Sequence, residues 1–195
     1  EDRANMALLR GRVQRMEKLL DDLLAYSRVG RASDSRFDEV VNGRTLVEDI
    51  LLLLSPPANF TVRVLPGFED VEVCRMPIQQ VLYNLIGNAI KHHDKPAGLI
   101  EIGVEDVGEM YRFTVRDDGS GIPPGFHEQV FKMFQTLKPR DQVEGSGMGL
   151  AFVKKTVGYF GGEVSLASEE GAGAAFAFTW PKQQKAVGEM QWKAA

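Results

Sequence analysis

Apolar positions in the first thirty residues recur with a helical beat. Met6, Leu9, Val13, Met16, Leu20, Leu23 and Ser27 are spaced by three and four residues in alternation, with no proline between Asp2 and Val29. That spacing predicts the seam of a helix packed on other helices, and Leu8, Leu19 and Leu24 widen it to the width of a bundle face. Gly30 to Arg36 reads as a helix stop and polar linker. A second helix is expected from about Val41 to Leu54, closed by Ser55-Pro56-Pro57. Phe60 to Val64 alternates as a strand, and Val71 to Val73 follows as a short one. Pro77 suits the first turn of a helix that runs to about His93. Two neighbouring strands are predicted near Ile100–Val104 and Tyr111–Val115, joined across Asp106 to Glu109. A glycine-rich turn, a short helix near Glu128–Phe134 and a polar stretch come next. A helix from about Met148 to Phe160 follows, and strands near Glu163–Ser168 and Ala174–Trp180 close the pattern.

Strands and helices do not alternate strictly, and that order predicts an α+β fold. The expected architecture is a two-layer sandwich, a mixed sheet with helices on one face, preceded by one long helix. The expected divisions are 1–33 for the helix and linker, 36–182 for the sandwich and 183–195 for a loose tail.

Composition narrows the function classes. The 195 residues carry a formal charge of −4, which gives no basic footprint for nucleic acid and no polybasic membrane anchor. No uninterrupted apolar run is longer than Ile50 to Leu54, which is far short of the roughly 20 residues a membrane span needs. Cys74 is the single cysteine, so an intrachain disulfide is impossible and a reducing, cytoplasmic setting is expected. The chain starts at Glu1 rather than methionine, so the expectation is a portion of a longer protein, whose membrane attachment would lie elsewhere.

Four local patterns carry chemistry. In Asn84-Leu85-Ile86-Gly87-Asn88-Ala89-Ile90-Lys91, the two asparagines and the lysine fall at i, i+4 and i+7, hence on one helix face. Amide oxygens and an ammonium lined up there suit a hard cation and phosphates, whereas a single such helix could equally present a solvated polar face. Asp117-Asp118-Gly119-Ser120-Gly121-Ile122 ends a strand. Its glycines let the backbone approach a flat ligand, and a rim carboxylate can accept from an amino group such as that of adenine. Phe131 and Phe134 are three apart, a spacing that core packing also explains. Gly145-Ser146-Gly147-Met148-Gly149-Leu150 opens a helix and exposes backbone N–H groups to an anion. What precedes it is a charged loop rather than a strand, so a dinucleotide fingerprint is excluded, and no Gly-Lys-Ser/Thr exists to make a P-loop.

Taken in order, the four blocks resemble the N, G1, F and G2 boxes of the sensor histidine-kinase ATP-binding domain. That domain belongs to the superfamily of gyrase, chaperone and mismatch-repair ATPases, with its Bergerat-type fold. The resemblance spans about Phe37 to Pro181, and the helix carrying Leu24-Ala25-Tyr26-Ser27-Arg28 is similar to the second helix of the family's dimerisation hairpin. It implies ATP and Mg²⁺ as cofactors. By matching position, Asn88 would bind Mg²⁺, and Asn84, Lys91 and His92 would meet phosphate. Asp117 would take the adenine amino group in a pocket shaped by Gly119, Gly121 and Ile122. Gly145, Ser146, Gly147, Met148, Gly149 and Leu150 would flank the phosphates, with Phe134 at the hinge of an ATP lid from Gln135 to Ser146.

The superfamily's hydrolases carry a glutamate where this chain has Asn84, so phosphoryl transfer is expected in place of hydrolysis. The family's phosphoacceptor histidine lies on a first hairpin helix that this chain lacks. His92, His93 and His127 do not replace it, and surface roles are expected for His93 and His127. Ala174 stands where the family usually has threonine. The implied partners are a homodimer formed through the N-terminal helix, the phosphoacceptor helix of the parent kinase and a response regulator receiver. No contact with nucleic acid or membrane is implied. The alternative from another class is a non-catalytic dimerising or docking module with a degenerate nucleotide site. An anti-sigma serine kinase would need glutamate at position 84 and no hairpin helix.

Overall fold

The structure, a computed structural model, describes residues 2–29, 39–135 and 146–182. Helix α1 spans Asp2–Arg28. Strand β1 (Val40–Asn42) leads directly into α2 (Gly43–Leu54), so the helix expected from Val41 starts two residues later. Two local causes account for the shift. The Asn42 side chain accepts the Arg44 N–H at 2.9 Å as an N-cap, and the β-branched pair before it joins a ladder in which Val41 faces Val73. Ser55, in the left-handed region, ends α2 by donating its N–H to the Leu51 carbonyl.

The remaining elements are β2 (Phe60–Val64), β3 (Glu72–Cys74), α3 (Arg75–Lys91), β4 (Gly98–Asp106), β5 (Met110–Asp117), α4 (Gly149–Tyr159), β6 (Val164–Ser168) and β7 (Ala174–Pro181). Strands β1 and β3 form a two-stranded ribbon, and the main sheet runs β2-β4-β5-β7-β6. Among the described strands only β2 and β4 are parallel, with α3 in the crossover between them; β4–β5 and β6–β7 are hairpins, and β7 returns antiparallel beside β5 after α4 and β6.

One face of the sheet holds the core. Ile100, Ile102, Phe113, Val115, Phe178 and Trp180 are buried there, while Arg112, Thr114, Arg116, Ala175 and Ala177 point the other way and keep some exposure. Phe113 and Phe178 stack across β5 and β7 with ring centroids 5.1 Å apart. Against them lie Leu46, Val47 and Ile50 of α2, Ile78, Val81, Leu82, Leu85 and Ile86 of α3, and Val153 and Val157 of α4. Each such side chain contributes about 1.5–3 kcal/mol by leaving water. The architecture is therefore the expected α+β sandwich, a mixed sheet layered with helices.

The short helix expected near Glu128–Phe134 is instead a single 3-10 turn, Gln129–Phe131, and another, Pro124–Phe126, precedes it. Lys132 is extended and Phe134 has φ 62°, so the backbone cannot continue helically through that stretch. Helix α1 rests on α4. The Lys155 ammonium donates to the Tyr26 carbonyl at 2.7 Å and sits 4.0 Å from the centroid of that residue's ring. Much of its apolar stripe is uncovered nonetheless, with Met16 64% and Leu20 58% exposed. No helix among the described residues is long and apolar enough to cross a membrane. The expected linker, the tail and positions 136–145 of the expected lid lie outside the described residues.

Candidate functional site

Helices α3 and α4 leave a cleft of about 450 Å³ between them, closed below by the end of β5 and the start of β7. The α3 wall follows from its sequence. Apolar positions turn to the sheet, which leaves Gln80, Tyr83, Asn84, Asn88 and Lys91 along the opening. The Asn84 amide donates to the Gln80 carbonyl one turn back at 2.9 Å, which orients its Oδ1 away from that turn. That oxygen would stand 3.0 Å from a Cβ built on Gly149, so glycine there lets the start of α4 close on the asparagine. His92 caps α3, and both it and Lys91 line the cleft.

The floor is the turn after β5. Asp117 Oδ1 accepts the Gly119 N–H at 2.9 Å, and the carboxylate also accepts from the Ala174 N–H of β7. Burial raises the Asp117 pKa above the ordinary aspartate value, although these bonds and nearby His93 pull the other way. Asp118 behaves oppositely. Its carboxyl is held below the ordinary range by the Leu99 N–H first, then by His93. Gly121, at φ 72°, passes so close to the β6–β7 connection that a Cβ would collide with the Glu169 carbonyl. The turn is stitched to that connection by Gly171 N–H to the Ser120 carbonyl at 2.6 Å and by Ile122 N–H to Ser168 Oγ at 2.8 Å.

The far wall is the N-terminus of α4. Ser146, Gly147, Gly149 and Leu150 line the cleft there. Ser146 Oγ accepts the Met148 N–H at 3.2 Å, and the Phe134 N–H donates to the Gly147 carbonyl at 3.0 Å. Phe134 and Gly147 are thereby held side by side. Asp22 of α1 reaches this lip and accepts a hydrogen bond from the Ser146 hydroxyl. A helix N-terminus, a lysine and two amides facing one space favour an anionic ligand. No group of three His, Cys, Asp or Glu side chains among the described residues could hold a metal.

Of the candidate residues, Asn84, Asn88, Lys91, His92, Asp117, Gly121, Ile122, Ser146, Gly147, Gly149 and Leu150 come together around this cleft. Gly119 is buried beneath the floor, Met148 is fully buried under α4, and Phe134 stands beside the cleft, 42% exposed. Phe131 packs edge-on against Phe176. Gly145 lies outside the described residues. Gln80 and Tyr83 were not among the candidates, yet extending the Asn84–Asn88 face one turn back reaches them. Asp22 and Glu170 also line the cleft and are far away in sequence, with no local signal. The surface roles expected for His93 and His127 are corrected. The His93 side chain has no exposure, and His127 is half-buried with Nε2 2.8 Å from the Ile122 carbonyl.

A family described as histidine kinase-, DNA gyrase B- and HSP90-like ATPase matches residues 75–184. Among curated proteins, the methanogenesis regulatory histidine kinase FilI of Methanothrix harundinacea is 37% identical over 182 residues, covering 91% of this chain and 20% of that protein. Cyanobacterial phytochrome A of Nostoc is 38% identical, over 87% of this chain and 22% of its own. The chain thus spans about a fifth of the length of these relatives. The solved catalytic domain of histidine kinase ThkA is similar with a TM-score of 0.63 and 29% identity, covering 74% of this chain and 95% of that one. Full-length ShkA, solved in complex with AMPPNP, is similar with a TM-score of 0.71 and 27% identity, over 92% of this chain and 38% of that one.

Proposed function

Because this chain belongs to the histidine kinase-, DNA gyrase B- and HSP90-like ATPase family, we propose that it is the ATP-binding catalytic part of a sensor histidine kinase. It transfers the γ-phosphoryl group to a histidine on a hairpin helix outside this chain, for relay to a response regulator. One observation carries the reading. A single cleft sets a buried carboxylate, Asp117, on its floor and two asparagine amides, a lysine and a helix N-terminus along its walls. The carboxylate accepts the adenine amino group. Lys91 and the backbone N–H groups from Gly147 onward hold the phosphates, and His92 adds a contact.

Asn88 fits Mg²⁺ because a carbonyl oxygen is a hard ligand, and that ion takes few protein ligands when nucleotide phosphates supply the others. When bound, it neutralises charge between the phosphates. Asn84 is an amide, which is no base at neutral pH, so it does not activate water as a glutamate at that position would. A histidine acceptor is already a nucleophile, and the cleft's task is to position the nucleotide and stabilise charge. The uncovered apolar stripe of α1 is where the hairpin's first helix and a second copy of the chain pack.

The reading predicts very slow ATP turnover by the chain alone and no acid-labile phosphoryl group on it. Phosphate release and acid-stability assays test this. Brisk steady-state release, with contaminating ATPase excluded, would sink the kinase assignment.

A further inference from the structure

The turn after β5 presents two adjacent carboxylates, and only Asp117 faces the cleft. Resting on the assignment of Asp117 to the adenine amino group, we propose that His93 is a positioning residue for nucleotide recognition. It holds Asp118 behind the cleft floor and so fixes Asp117 in front.

Asp118 Oδ1 accepts the Leu99 N–H at 2.7 Å and lies 2.9 Å from His93 Nε2. Nδ1 lies 3.2 Å from both the Lys95 N–H and the Lys95 carbonyl and so can accept or donate there, whereas the ionised Asp118 carboxylate can only accept, which puts a proton on Nε2. A doubly protonated ring would donate from Nε2 as well. The site around this ring is specific. Phe60 meets it edge-on at 5.2 Å, and a Cβ on Gly98 would come 2.7 Å from Nε2. A Cβ on Gly119 would stand 3.4 Å from Cδ2, so the glycine that closes the Asp117 bond also lies against the histidine. The Lys95 ammonium ties the Asp118 carbonyl at 2.6 Å. The Asp118 N–H, carbonyl and Oδ1 are thus all bonded to the α3–β4 connection or the start of β4. His93 is the only side-chain donor to the Asp118 carboxylate among the described residues.

The experiment compares dissociation constants for a non-hydrolysable ATP analogue and for the matching triphosphate of purine riboside, which lacks the 6-amino group. Wild type, His93→Phe, His93→Gln and Asp118→Ala are used, each checked for folding by thermal melting. Wild type is expected to prefer the adenine nucleotide by about tenfold or more, the worth of one hydrogen bond to a charged group. His93→Phe keeps a ring against Phe60 but loses the donor. It should bind the purine analogue as wild type does and lose most of the preference, whereas His93→Gln, which keeps an N–H, should retain it. If His93→Phe does not fold, Asp118→Ala carries the test from the partly exposed side of the same bond, with the same loss expected. An unchanged preference in the deciding variant overturns the proposal. So does equal weakening of both nucleotides, which marks a merely distorted cleft, or a glutamine variant no better than phenylalanine. Wild type binding both nucleotides equally would instead remove the Asp117 assignment, and this proposal with it.

Discussion

Asp117 and Asp118 are neighbours in the chain and opposites in environment. Burial lifts the first above the ordinary aspartate pKa, and hydrogen bonds hold the second below it. A carboxylate accepts from an adenine amino group, but a protonated carboxyl turns a donor toward that donor. Nucleotide affinity should therefore fall with acid. The fall should be centred above the pH at which an ordinary aspartate titrates, because the raised pKa keeps the proton on Asp117 longer. Calorimetric titrations of an ATP analogue from neutral to acid pH check this, with the purine riboside analogue as a control that should lose less. A flat profile would mean that Asp117 does not accept from the base. The spacing of Asn84, Asn88 and Lys91 was legible because a helix repeats every 3.6 residues, so their shared face needs no long-range information. The burial of His93 was not legible. It depends on Phe60, Gly98 and Gly119, which only the folded sheet brings together.

At the scale of elements, legibility followed the same divide between local and distant causes. Helix α1 and strand β2 appear where periodicity puts them, whereas β1 exists only because Val73 lies opposite Val41, a contact across the chain. The 3-10 turn Gln129–Phe131 replaces a helix because backbone angles at Lys132 and Phe134 break the repeat. The meeting of α1 and α4 had no local signal either, and it puts the Asp22 carboxylate on the lip of the cleft beside Ser146. A negative charge there opposes bound phosphates. Asp22→Ala should tighten binding of the ATP analogue by roughly two- to fivefold at low salt, the scale of a partly exposed charge interaction. The gain should shrink at high salt and for AMP, which carries fewer phosphates. Unchanged affinity at low salt would place the phosphates away from this lip.

For the whole molecule, the α+β sandwich could be argued from strands and helices that do not alternate strictly, because each strand buries one face and each helix one stripe, whereas the order of strands in the sheet had no such signal. The cleft could not, since it is a gap that exists only after α3 and α4 settle on the same sheet. Its floor depends on β7 as much as on β5, through the Ala174 N–H that meets Asp117 and the β6–β7 connection that grips Gly121. On the proposed reading, recognition of the base is built into the sheet, while the phosphate end is shared by α3, α4 and α1. The measurement that bears most directly on this account is titration of the chain with a non-hydrolysable ATP analogue, with and without Mg²⁺, beside Asp117→Asn. The account predicts saturable binding, tighter with Mg²⁺, and weakened by about tenfold or more in a variant that remains folded. Absence of binding at millimolar nucleotide, or equal binding by the folded variant, would contradict it.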